Sequence, residues 1–177
     1  MNLKNFEILA RYNIWATQNL NKHLSQISDQ DFFADCGLFF KSIFATLNHV
    51  LLGEHHLWFP RFQGENTASL KLDQIIQPDR QQLLRALETG AASWLKWLAT
   101  LDEETLPEQL HYRSCAGQLL SLPYQATLLH VFHHATHHRG QISAALTQLG
   151  YACPEIDMIY MLLEEQLEEQ LEEQQAT

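Results

Sequence analysis

Apolar residues recur at helical spacing over most of the chain. Phe6, Leu9, Ala10, Leu20, Leu24 and Ile27 share one face with Asn13 and Thr17, which predicts a first helix from about Leu3 to Ile27. After the polar turn SQISDQD, a second helix is predicted from about Phe40 to Phe59, stopped by Pro60. A third runs from about Pro78 to Leu101, with Pro78 suited to a first helical turn and Leu83, Leu84, Leu87, Trp94, Leu95 and Leu98 in register. The pattern weakens between Leu106 and Leu122, where QLHYRSCAGQLLSLP alternates in places around Gly117 and reads as a short hairpin or a loop. A fourth helix is predicted from about Pro123 to Leu149, with Gly150 as its stop, and a last one follows Pro154.

Long helices, short connections and almost no strand signal give an all-α bundle of four main helices with an additional C-terminal helix. The predicted organisation is a bundle over residues 1–153 and an acidic helix or tail over 154–177. The tail LEEQLEEQLEEQQ puts Leu163, Leu167 and Leu171 on a stripe that drifts around the helix. It reads as a solvated acidic helix fraying toward Thr177, with a partner-docking extension as the sharper alternative.

Charge narrows the function classes. The net charge is −10, with Glu164, Glu165, Glu168, Glu169, Glu172 and Glu173 all in the tail, and no basic stripe exists to neutralise phosphates, so direct nucleic-acid binding is not expected. No apolar run is long enough for a membrane span, and the N-terminus lacks a secretory pattern, so a cytoplasmic location is the expectation. Cys36, Cys115 and Cys153 form no CxxC pair and are expected as free, buried thiols.

The fourth helix carries the chemistry. HVFHHATHHRGQ holds five of the chain's 10 histidines. With His130 at 0° on a helical wheel, His133, His134, His137, His138 and Gln141 fall at about 300°, 40°, 340°, 80° and 20°. The apolar residues of the same helix cluster near about 130°, so His134 and His138, one turn apart, border the core while His133 and His137 point away. Two histidines four residues apart can share an ion, as in HExxH, and a third ligand must come from another helix. The second helix offers His49, Glu54, His55 and His56; small neighbours Ala45, Thr46 and Gly53 leave room beside His49, but periodicity does not choose among them. A surface histidine patch and a proton relay are the rival readings.

His130, His133, His137 and Gln141 are the candidates for proton transfer or ligand orientation. Arg139 is expected to pair with an acid on a neighbouring helix, and Gly140 to allow a close helix approach. Tyr12, Asn13 and Trp15 are candidates for a pocket mouth. Glu-x-x-His occurs at Glu108–His111 alone, in the weak region, as a chance match to a di-iron design. HExxH, P-loop, GxGxxG and GxSxG motifs are absent.

RYNIWATQNL, SIFATLNHVLLGEHHLW and HVFHHATHHRGQISAALTQLG together resemble the signatures of the DinB family of four-helix-bundle metalloproteins, over about residues 3–150. The resemblance implies an up-down-down-up bundle, frequent homodimers, and a metal held by His49, His134 and His138. His133 stands where relatives commonly have Asn, and the tail after Leu163 has no counterpart in the recognised pattern. Related bundles are thiol S-transferases using bacillithiol or mycothiol, and a thiol-dependent maleylpyruvate isomerase. The implied function is a metal-dependent S-transferase or hydrolase in which a divalent ion, zinc or nickel ahead of iron, activates water or a low-molecular-weight thiol co-substrate toward a small-molecule substrate. A non-catalytic, stress-response metal module is the alternative.

Overall fold

The computed structural model describes residues 2–67 and 70–175; the chain end at Thr177, where fraying is expected, lies outside them. The fold is mostly helical with one small two-stranded sheet. Helix α1 spans Leu3–Leu24, started by Asn2, whose side chain accepts from the Asn5 N–H, and ended with Lys22 and His23 in the last turn, where cations suit the helix dipole. A short α2 covers Asp29–Phe33 behind the Ser28 cap.

The second long helix begins later and ends later than the pattern predicts. Lys41 adopts φ 75° and Ser42 caps α3, Ile43–Val50, so Phe40 lies before the helix. Winding then loosens into a π-helix over Leu51–Trp58, and the Phe59 N–H bonds back to the Glu54 carbonyl. Pro60 does not stop the chain's helical course: it sits in the first turn of α4, Phe59–Phe62, where its missing N–H is least costly.

Helix α5, Arg80–Leu98, starts behind the Asp79 cap, which leaves Pro78 just outside it. A 3-10 turn at Glu103–Thr105 leads to an antiparallel hairpin of β1, Gln109–Arg113, and β2, Leu119–Pro123. The ambiguous stretch is therefore a hairpin, turned at Gly117 with φ 82°. Helix α6 runs Tyr124–Gln148, and α7 runs Met158–Gln175 after a segment from 151 to 157 without regular secondary structure. Among the described residues, no helix is long and apolar enough to cross a membrane.

Two large apolar clusters fill the interior between the helices, with a smaller third under α7. One gathers Leu20, Leu24, Ile43, Leu47, Leu83, Leu87, Ile142 and Leu146, and the other Phe6, Ala10, Phe62, Trp94, Leu98, Leu128, Val131 and Phe132. Along α6 the two sets are separated by residues 133–141, so the histidine segment falls at a polar layer between them. Buried Asn13, Glu54, His138 and Arg139 belong to that layer.

The tail is docked at its start. Met161 is buried against Tyr12 and Ala16, Arg11 pairs with Glu165 at 2.8 Å, and the Trp15 indole donates to Glu164. Leu163, Leu167 and Leu171 face solvent. The cysteines are unpaired, but they are not buried: Cys36 and Cys115 are half-buried and Cys153 is exposed, because all three lie in loops and turns.

Candidate metal centre

His49 comes from α3, and His134 and His138 from successive turns of α6. One ligand atom from each lies within 4.8 Å of the others, so the three could hold a single ion. Ring centroids are 5.1 Å apart for His49 and His134, 4.9 Å for His49 and His138, and 4.5 Å for His134 and His138.

The far side of each ring is engaged as well. His49 Nδ1 lies 2.8 Å from the Leu72 carbonyl oxygen, His138 Nδ1 2.8 Å from Gln141 Oε1, and His134 Nδ1 3.4 Å from Glu54 Oε1. Each partner is an acceptor, which assigns the proton to Nδ1 and leaves all three Nε2 lone pairs for the centre. His49 Nε2 and His134 Nε2 then face each other at 3.1 Å, lone pair to lone pair. A shared cation relieves that repulsion, and the separation is close to the roughly 3.3 Å between ligands of a tetrahedral ion with metal–nitrogen bonds near 2.0–2.1 Å. The donor set therefore fits a divalent metal.

Local structure explains the placement. Asn48, next to His49 and fully buried, accepts from the N–H groups of Ile76 and Gln77 and donates to the Gln77 carbonyl. That staple holds the 72–77 loop against α3, where the Leu72 carbonyl meets His49. Phe40 stacks on the His49 ring at 3.9 Å. Gly53 lies beside the His134 ring, where a Cβ would come within 3.2 Å of Cε1 and press on it.

Burial dominates the electrostatics. It pushes His49 below the ordinary histidine value, against the opposing Leu72 hydrogen bond. Burial, and next the neighbouring His134, pushes His138 down to about 4. Both are thereby held neutral near pH 7, the form a metal requires.

The remaining candidates separate. His130 packs on Trp58 and lies 5.8 Å, ring to ring, from His134; His137 is exposed, 4.9 Å from the His138 ring. Gln141 orients His138. His133 is on the far face of α6, in a groove with Leu9, Tyr12, Phe132, Thr136 and Met158, away from the triad. Glu108 and His111 are exposed beside and on β1.

Several expectations are corrected. Arg139 makes no ion pair among the described residues: its guanidinium donates to Asn13 and Thr136 and lies over the Tyr12 ring, because α1 presents an amide and a phenol at that level, and the Glu54 carboxylate acts on it only through the field. Gly140 allows no close approach, as the space beside it is open; Gly53 and Gly90 do, the latter beneath the buried His55 ring. Tyr12, Asn13 and Trp15 line no mouth to the triad, being engaged with the Ile156 carbonyl, Arg139 and Glu164. Asn48, Leu72 and Phe40 were not anticipated. A backbone carbonyl has no sequence signal, although a buried Asn beside a candidate ligand is one that could have been read.

The model of the DinB family matches residues 1–174. The chain belongs to the DinB family. The match takes in the glutamate-rich helix α7, which the sequence resemblance had left out. Protein DinB of Bacillus subtilis (strain 168) is similar, at 29% identity over 154 residues, covering 84% of this chain and 88% of that protein.

Proposed function

We propose that this DinB-family chain is a metal-dependent enzyme of S-transferase or hydrolase type, acting on a small molecule from a three-histidine centre of His49, His134 and His138. The observation that carries the reading is the set of three Nδ1 atoms, each tied to an outward acceptor, behind three converging Nε2 atoms. Rings fixed in this way are ligands in waiting, whereas a solvated histidine patch needs no such anchors.

When bound, a divalent ion held by three neutral imidazoles keeps its +2 charge and open positions, and so lowers the pKa of a coordinated water or low-molecular-weight thiol. Imidazole donors suit zinc, nickel, copper and iron alike; zinc or nickel is the ion proposed here, ahead of iron. His130 and His137, on the solvent side of His134 and His138, are placed to carry the released proton away. Phe40 closes one side of the site and keeps water off His49. His133 has no part in this scheme. The scaffold read here is an up-down-down-up four-helix bundle, supported by the packing of α1 on α5 and of α3 on α6, with α7 appended. A cytoplasmic homodimer is the proposed working form.

Elemental analysis of untagged protein tests the reading. About one ion per chain, lost in His134→Ala, supports it and opens a screen of thiol and electrophile pairs. Absence of metal after reloading rejects it.

A second reading, a non-catalytic metal module, is favoured by one observation: the ligands bridge α3 and α6, so an ion would cross-link two helices. A circular-dichroism melt with and without chelator separates the two. A steep fall in melting temperature with every thiol and electrophile pair inert supports the module, and an unchanged melt rejects it.

A further inference from the structure

Glu54 is the one acid among the buried polar residues described, 1% exposed, and it sits behind the triad rather than in it. Its Oε1 is 3.4 Å from His134 Nδ1, and its Oε2 is 3.9 Å from Nε2 of the buried His55. The three outward anchors thus differ in kind: a carbonyl on His49, a neutral amide on His138, and a carboxylate on His134 alone.

The π-helix is what delivers it. Five residues along a regular α-helix place a side chain about 140° around from its start, whereas π winding, at about 4.4 residues per turn, returns it to within about 50°. Loosening the helix after Val50 therefore brings Glu54 back toward the face that His49 presents, and it leaves Gly53 beside the His134 ring. A wide helical turn is a poor conformation to maintain without a use, and such turns gather at functional sites.

We infer that Glu54 is a positioning residue of the metal centre, whose carboxylate holds His134 by Nδ1 and lends that imidazole the negative character that tightens its hold on a cation. The inference rests on the three-histidine reading above. A carboxylate behind a ligating histidine fixes the ring and raises its basicity, and losing such a partner commonly weakens metal binding about 10–100-fold. It would also offset part of the charge of a loaded site, by placing a fixed anion at hydrogen-bond distance behind one of the ligands.

The test is zinc affinity measured by competition with a chromophoric chelator, for wild type, Glu54→Gln and His134→Ala. Glu54→Gln keeps the shape and an acceptor oxygen but removes the charge. The expected result is an affinity about 10–100-fold lower, with an unchanged visible spectrum after cobalt substitution, because the ligand atoms stay the same. Glu54→Asp, which keeps the charge but not the shape, should retain more affinity than the isosteric Glu54→Gln, an order that a purely packing role for Glu54 would reverse. Affinity within about three-fold of wild type, while His134→Ala abolishes binding, overturns the positioning role and leaves the metal centre standing. An altered cobalt spectrum also overturns it, by making Glu54 a ligand or a determinant of the ligand set. Wild-type protein that binds no zinc removes the centre itself, and Glu54's role with it.

Discussion

Along α6, His134 and His138 face Glu54 and Gln141 at the polar layer of the core, while His133 and His137, each one residue earlier, stand in solvent. The residue type is the same and the helix is the same. What separates the pairs is the partner behind the ring: the inner two have acceptors fixed by other residues, and the outer two do not. One residue is about 100° of rotation, enough to move an imidazole from an anchored position to a free one. A count of histidines therefore says little about a site, and the list of Nδ1 acceptors says most of it.

The sharpest way to break this comparison is to exchange its sides. His134→Ala should take bound metal from about one ion per chain to none, whereas His133→Ala should leave metal content alone and stability within about 0.5 kcal/mol, read by elemental analysis and thermal melts. Equal loss in both variants would sink the inner–outer distinction.

Next in size is Asn48→Ala. It removes the hydrogen bonds that pin the 72–77 loop, and should cost about 2–4 kcal/mol in a denaturant titration while weakening zinc binding through loss of the Leu72 anchor. A variant that melts like wild type would show that the loop holds itself in place.

A third test uses acid. Burial holds His55 at about 4 against an unfolded value of 6.5. Below pH 6.5 the unfolded chain takes up the proton first, so stability is full above that pH and falls as pH drops toward 4. The loss from this residue should reach about 2 kcal/mol by pH 5 in metal-free protein. His55→Leu should flatten that part of the profile, and an unflattened profile would assign the acid sensitivity elsewhere. The smallest effect is expected from Gln141→Ala, about a 10-fold loss of zinc affinity with little change in the metal-free melt.

These residues also show what was legible in the sequence. The α6 wheel separates His134 and His138 from the outer histidines because side-chain direction on a helix follows from spacing alone. The third ligand was not chosen by spacing: α3 is apolar around most of its circumference, and the family resemblance pointed to His49. Glu54 stood in view as a possible ligand, yet its place behind His134 depends on π winding, a change in hydrogen-bond register that hydrophobic pattern does not record. Pro60 misled for a related reason, since the helix resumes around it instead of ending. Arg139 was expected to find an acid on a neighbouring helix because its place on the wheel turns it away from the histidines; here Asn13, Thr136 and Tyr12 serve, and burial lowers its affinity for its own proton.

The loosened turn at Leu51–Trp58 has a consequence for descent. A single-residue deletion within it would let the segment rewind to an ordinary helix, swinging the residue at position 54 by about 100° while the chain on either side kept its path. Among homologous chains a one-residue gap here would separate lineages whose histidine clusters are backed by an anion from those backed by something neutral. Insertions and deletions in this stretch would thus sort the family by chemistry more finely than the histidines themselves, which such an event need not touch.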